Sequence, residues 1–397
     1  MTDQTYTAGE RRRSLGAVIA SSFAVGLHFG ILMPLVALVL ERDGVGTAAI
    51  GLNAAMQPLA MLLLVPFIAR IAGRLGTLAS LYGGLAVTAG VILAMPLVPV
   101  LGVWFLLRFL AGVGMALPWL VGETWINTVA EETSRGRVVA FYTTAFYGGL
   151  VAGPLVLQAT GTEGWMPFLA AAGSLVLAGL PIHLYRGLAP AMPARPRLGL
   201  RQAARIAPLV VAAALLAGFV EVGTYALLPL YALRSGLGQA EALATLPVFT
   251  LGAIVLQAPL GLFADRLDRR RLLMACALGS ILCAAVLPGA IGVPLLLWPL
   301  LVLWGGLALG FYTVGLALLG QRFSPADLAV ANALFILAFE AGNVLGPAVG
   351  GAAMDLWDPH GLLLALAAAA AVFLAFAAAL PDSGQDWRVS RRKPPQP

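Results

Sequence analysis

Five ionisable side chains interrupt stretches of sequence that are otherwise apolar: His28, Arg108, Glu123, Glu221 and Glu340. A charge at the middle of a bilayer costs at least about 2.5–3.5 kcal/mol on insertion scales, so each one asks for a reason. Desolvation favours the neutral form of a carboxyl group. Such a group can take up a proton on one side of a membrane and release it on the other. Glu221 and Glu340 sit near the centres of their apolar stretches, where no side chain reaches water by stretching to an end. Glu123 and Arg108 lie nearer the ends of theirs. Hydration alone can account for Glu123, ties to backbone carbonyls or a neighbouring acid for Arg108, and packing for a lone histidine such as His28.

Helical geometry suggests companions for these groups. At 100° per residue, Arg108 and Glu123 stand about 60° apart around one helix. Trp119 and Asn127 flank Glu123 at four-residue spacing, so one face reads Arg108, Gly112, Trp119, Glu123, Asn127. Tyr225 follows Glu221 by four residues. Around Glu340, Asn343 and Pro347 fall on the side of the glutamate. Gly342, Gly346 and Gly350 fall on the far side, as a small-residue ridge on which membrane helices approach closely. Gln57, Gln257, Tyr142, Tyr147 and Tyr312 are further polar groups within the apolar stretches and candidate liners of a cavity. Three carboxylates against one guanidinium and one imidazole favour a cationic or amphipathic ligand competing with protons.

Other chemistries find little support. The three histidines, His28, His183 and His360, form no cluster with cysteines and no His-Glu-x-x-His pattern, so neither a metal centre nor an intramembrane enzyme is expected. No phosphate loop ending in Gly-Lys-Ser/Thr is present, and no cofactor is expected. Cys276 and Cys283 are seven residues apart on one helix, about 10 Å, too far for a disulfide.

The elements that position these groups follow from composition. The 397 residues are 60% hydrophobic and 11% charged, with a mean hydropathy of +0.92. Soluble domains carry about 25% charged residues. Apolar runs long enough to cross a bilayer recur twelve times, near 15–40, 48–69, 75–98, 102–128, 138–160, 165–185, 206–233, 243–263, 271–290, 293–319, 328–352 and 360–381. The chain therefore reads as an all-α polytopic membrane protein of twelve transmembrane helices, lodged in a lipid bilayer. With the N-terminus in the cytoplasm, 21 of the 24 Lys+Arg residues fall in cytoplasmic segments. Only Arg42 and Arg234 fall outside, while Arg108 is within a span. This bias puts both termini in the cytoplasm. It also accounts for the net charge of +6 without nucleic-acid binding. The first span is too long for a signal peptide and reads as an uncleaved helix.

The chain divides into two similar halves. A Pro- and Arg-rich linker, 188–205, separates residues 1–187 from residues 206–397. "GGLVAGP" (Gly148–Pro154) returns as "AGNVLGP" (Ala341–Pro347) 193 residues later, and "PFIARIAGR" (Pro66–Arg74) as "GLFADRLDR" (Gly261–Arg269) 195 later. A six-plus-six repeat is one way to build a transporter with its site between the halves.

These features, with "GLFADRLDRRRLL" (Gly261–Leu273) and "RFLAGVG" (Arg108–Gly114), resemble the major facilitator superfamily over essentially the whole length. "ETWIN…RGRVVAFY" and "LLPLYALRSGL" are similar to its bacterial YcaD-like group. The resemblance implies two pseudo-symmetric six-helix bundles. Helices one, four, seven and ten would line a cavity, two, five, eight and eleven flank it, and three, six, nine and twelve lie outside. It implies a gating motif of Gly261, Asp265, Arg266, Arg269 and Arg270; at the matching position of the first half stands Arg70. A plainer reading has Asp265 only offsetting Arg266 and Arg269. It also implies an antiporter-like packing motif at Gly149, Gly153 and Pro154, whose two closing glycines are missing here. The expectation is a monomeric proton-coupled transporter in a bacterial inner membrane. It would export a small lipophilic or cationic compound in exchange for protons by alternating access. Uptake of a nutrient by proton symport is the nearest alternative, and a non-transporting receptor or scaffold the next.

Overall fold

In lipid no water is at hand for exposed amides, so an apolar run must satisfy its backbone within itself, as a helix. The computed structural model describes residues 6–131, 134–190, 207–322 and 328–380. Within them stand twelve helices long and apolar enough to cross a membrane. They are α1 (Ala8–Arg42), α2 (Thr47–Leu75), α3 (Thr77–Ala94), α4 (Leu101–Val129), α5 (Arg135–Thr160) and α6 (Met166–Leu184). The second half supplies α7 (Pro208–Arg234), α8 (Gln239–Arg266), α9 (Arg269–Ala290), α10 (Pro294–Arg322), α11 (Leu328–Leu356) and α12 (Gly361–Ala379). Most of the expected linker lies outside the described residues.

The largest boundary difference is at α1, which begins about two turns before its apolar run. Thr7 and Glu10 form a capping box: the Glu10 amide donates to Thr7 Oγ1 at 3.3 Å, and the Thr7 amide donates to Glu10 Oε2 at 2.9 Å. The cap satisfies orphan amides early, so Arg11–Arg13 ride on the helix instead of preceding it.

Within each half the same pairs of helices pack together. α1 lies on α5 and α6, α2 on α4, and α3 on α4 and α6. In the second half α7 lies on α11 and α12, α8 on α10, and α9 on α10 and α12. The repeat holds at the level of atoms. A Cβ at Gly26 would strike the Phe146 carbonyl, and one at Gly218 the Phe339 carbonyl. A Cβ at Gly149 would strike the Phe23 carbonyl, and one at Gly342 the Leu215 carbonyl. At these two crossings the backbones touch, the small-residue packing that replaces a hydrophobic driving force in lipid.

The halves meet through α2 on α11, α5 on α8 and α1 on α7. The described hydrogen bonds and ion pairs between them all lie at one end, where α1 turns into α2. There Asp355 of α11 accepts from the Thr47 amide at 2.8 Å, from the Ala48 amide at 3.0 Å and from the Thr47 hydroxyl. Arg234 of α7 grips Glu41 of α1 through two bonds of 2.7 Å. Gln239 donates to Thr162 Oγ1 at 3.0 Å, and Gln158 donates to the Ala240 carbonyl at 3.3 Å. At the opposite end, where α2 turns into α3, the described bonds stay within a half, as in the Arg11–Glu131 pair.

Candidate functional site

Glu221 and Glu340 are brought together by the α7–α11 crossing. Gly218 lies one turn before Glu221, Gly342 follows Glu340 by two residues on the opposite face of α11, and each glycine abuts the backbone of the other helix. The two carboxyls face the same space. Both open onto a cavity of about 550 Å³, part of it continuous with solvent. Asn343 completes the pair: its Nδ2 donates to Glu340 Oε2 at 3.2 Å. Glu340 is only 4% exposed, so apart from Asn343 it depends on whatever enters the cavity.

Apart from Gln57, the rest of the wall is apolar and aromatic, and it comes mainly from the first half. α1 contributes Phe29 and Met33, α2 Gln57, Pro58 and Met61, α4 Trp119, and α5 Phe146 and Leu150. α7 adds Val222 and Tyr225 beside Glu221, and α11 adds Phe339. Phe29, Trp119 and Phe146 pack edge to face, with ring centres 5.4–6.5 Å apart. Tyr225 turns its hydroxyl to Thr250 at 2.9 Å, leaving the ring to the cavity. Among the described residues no basic side chain lines this space. Its chemistry is that of an acidic pair facing aromatic rings, which suits an apolar cation.

The structure separates residues that helical geometry placed together. Trp119 lines the cavity and donates through Nε1 to Glu123 Oε1 at 3.1 Å. Glu123 is half-buried behind it. Asn127 is exposed and back-bonds to the Glu123 carbonyl of its own helix at 2.9 Å, so it takes no part in the cavity. His28 also departs from expectation. It is buried inside the first half, with Nδ1 on the Ala171 carbonyl of α6 at 3.2 Å. Its neighbour Phe29 takes the cavity position, because one residue along a helix turns a side chain by about 100°. Arg108 is likewise interior to the first half and absent from the cavity wall. Tyr142 lines a separate cleft among α1, α3, α4 and α5, and Tyr147 and Gln257 line another among α5, α8 and α10. Among the described residues α10 contributes nothing to the central cavity wall: its Tyr312 stacks behind Phe339, ring centres 5.1 Å apart.

The gating and packing residues fall on recognisable joints. The side chain of Asp265 lies outside the described residues. Arg266 is exposed, and a Cβ at Gly261 would meet nothing within 4 Å. Arg269 donates to the Ala264 carbonyl of α8 at 2.9 Å and to the Ala317 carbonyl of α10. Arg270 donates to the carbonyls of Ala377 at 2.8 Å and Leu380 at 2.6 Å, at the end of α12. Two cations thus sit on the carbonyl-rich ends of helices, where positive charge is favoured. Gly153 abuts Gly30 beside Pro154, and Gly346 abuts the Phe219 carbonyl. Gly350 lies under the Leu362 and Leu227 side chains. The Pro347 carbonyl faces Gly51 of α2, so α11 is held by its own half on one side and by the other half on the next.

Comparison with known proteins bears on the whole length. A sequence profile of the Major Facilitator Superfamily matches residues 18–249 and 238–397. The uncharacterized MFS-type transporter YfkF of Bacillus subtilis is 26% identical over 349 residues, covering 85% of this chain and 88% of that protein. The uncharacterized MFS-type transporter YcaD of Escherichia fergusonii is 26% identical over 369 residues, covering 91% and 94%. Among solved structures, the nucleoside transporter NupG superposes with a TM-score of 0.73 at 15% identity, covering 92% of this chain and 98% of that one. A bacterial homologue of the human lysosomal transporter Spinster, inward-facing and occupied, gives 0.74 at 16% identity, covering 94% and 96%.

Proposed function

This chain belongs to the major facilitator superfamily and is a transporter, and from that premise we propose that it exports a small lipophilic cation in exchange for protons. The observation that carries the reading is the paired carboxyls of Glu221 and Glu340 facing an aromatic wall in a cavity without a basic liner among the described residues. A proton and an organic cation compete for the same two carboxyls. Occupancy by one excludes the other, which is the condition for exchange. The rings of Phe29, Trp119, Phe146 and Tyr225 replace the hydration shell of a cation, an interaction worth roughly 2 kcal/mol or more when desolvated.

Alternating access follows from the two halves. The arginine distribution supports placing the α1–α2 end outside the cell, with both termini in the cytoplasm and the protein in a bacterial inner membrane. On that placement the bonds of Asp355 and Arg234 close the outer end, which supports reading the conformation as one that opens toward the cytoplasm. Rocking the halves would break those bonds and form others at the opposite end, where Arg269 and Arg270 already brace the second half as one body.

Proteoliposomes with an imposed pH gradient test the proposal, with ethidium as a fluorescent aromatic cation. Exchange predicts that ethidium moves against the proton flow, and that Glu340→Gln and Glu221→Gln each abolish the response to pH. Movement of ethidium with the protons would establish symport instead. Gradient-driven transport that survives both substitutions would overturn the coupling role of the pair.

A further inference from the structure

Arg108 is 1% exposed, and its Nε and Nη1 have no hydrogen-bond partner among the described residues. No acidic side chain pairs with it among the described residues. An arginine stays protonated in proteins, so a full positive charge is buried here without compensation, an arrangement folded proteins avoid. The neighbouring polar groups are unsatisfied too. Asn53 is 0% and Gln57 2% exposed, and among the described residues neither amide oxygen nor amide nitrogen of either has a partner.

These residues share one level of the first half. α2 and α4 run parallel, both starting from the α1–α2 end. Gly112 of α4 packs on the backbone of Gln57. One turn back along both helices, Arg108 and Asn53 occupy the matching positions of this register. His28, from α1, lies within electrostatic range of Arg108. Its Nδ1 meets a carbonyl and so must donate, which leaves neutral Nε2 as an acceptor without a partner. Among the described residues of the helices packed against this point, α1, α2 and α3, the titratable neighbour at this level is His28, and no acid faces the guanidinium. Gln57 also lines the central cavity, so the cluster borders the space that holds the glutamate pair.

We propose that Arg108, Asn53 and Gln57 form a binding site for a singly charged anionic group, a halide or a carboxylate, on the first-half side of the central cavity. Guanidinium and amide N–H groups supply the donors, and one positive charge sets the preference for one negative charge. The site does not depend on the direction of transport and would exist in an importer as well. Its two sources are a free inorganic anion and a carboxylate carried by the substrate; in the second case the substrate is a zwitterion, with its cationic end on Glu221 and Glu340.

The test is thermal unfolding of the purified full-length protein at constant ionic strength, titrating chloride, acetate or benzoate against a bulky sulfonate anion. A ligand of the folded state raises the apparent melting temperature in a saturable way. The expected result is saturable stabilisation of the wild type, with half-saturation weakened about tenfold or more by Arg108→Gln. Stabilisation by chloride and acetate alike assigns the site to free anions. Stabilisation by benzoate alone assigns it to an organic carboxylate. Asn53→Asp guards against a variant that does not fold, because it supplies the missing negative charge in place. It should raise the melting temperature without added anion and remove the anion response. No saturable anion response in the wild type would overturn the site. So would equal responses in wild type and Arg108→Gln, or Asn53→Asp that melts lower and keeps the full response.

Discussion

Replacing Asp355 with alanine should loosen the closed end by an amount the structure allows to be worked out. The residue that precedes α2 is Gly46, which has no side chain to cap the helix. Asp355, from the other half, does that task by accepting from the Thr47 amide, the Ala48 amide and the Thr47 hydroxyl. Loss of an N-cap costs about 0.5–2 kcal/mol, and a carboxylate at a helix N-terminus contributes a further 0.3–1 kcal/mol or so. Asp355 is solvent-exposed, which trims the sum, and about 1–2 kcal/mol remains. Because the bonds join the two halves, this energy exists only while the end is closed. The ratio of closed to open should therefore fall about 5- to 30-fold. Met33 lines the cavity and can report the change as a Met33→Cys variant in a background lacking Cys276 and Cys283. On the proposed orientation, a membrane-impermeant maleimide added to right-side-out vesicles reaches that position only when the outer end opens. Labelling should accelerate about 5- to 30-fold in Asp355→Ala. Asp355→Asn, which keeps an acceptor and loses the charge, should fall between. A labelling rate equal to the parent's in both variants would refute the assignment of Asp355 as a latch.

Arg234→Gln releases Glu41 and Asp358 together and should accelerate the same labelling; with Asp355→Ala the effects should add within about 0.5 kcal/mol if the contacts act separately. Gly149→Ala drives a methyl into the Phe23 carbonyl, whereas Gly148→Ala meets ring atoms at 3.6 Å. The first should destabilise by about 1–3 kcal/mol and the second should not, as thermal unfolding in detergent would register. Asp268→Ala removes the cap on the Arg271 amide at the start of α9 and should lower stability by about 0.5–2 kcal/mol, with Asp268→Ser restoring most of it.

The twelve spans were legible because lipid forces an apolar run to be a helix, and their ends were marked by arginines and turns. Glu221 and Glu340 were legible because a carboxyl at mid-span has no bland explanation. Burial alone could not sort the others. His28 and Arg108 are as solitary in sequence as Glu340, yet they face neighbouring helices of the first half, because periodicity fixes angles within one helix and not the direction of the cavity. Asn127 shared a face with Glu123 but sits beyond the packed region. Phe29, Phe146 and Phe339 form the wall of the site and gave no signal, being apolar residues in apolar helices. The latch was invisible for another reason: Thr47 and Asp355 are 308 residues apart, and neither stands in a motif. A signal was available in hindsight, since Glu41, Asp355 and Asp358 are acids at span ends close to the few arginines on that side.

The borrowed cap on α2 also has a bearing on how the protein can be observed. When Asp355 withdraws, the amides of Thr47 and Ala48 lose their acceptor and nothing in Gly46 replaces it. The first turn of α2 should then exchange its hydrogens with solvent far faster than while the end is closed. Two backbone amides thus carry an isotopic record of the occupancy of each state, readable in the unlabelled native chain.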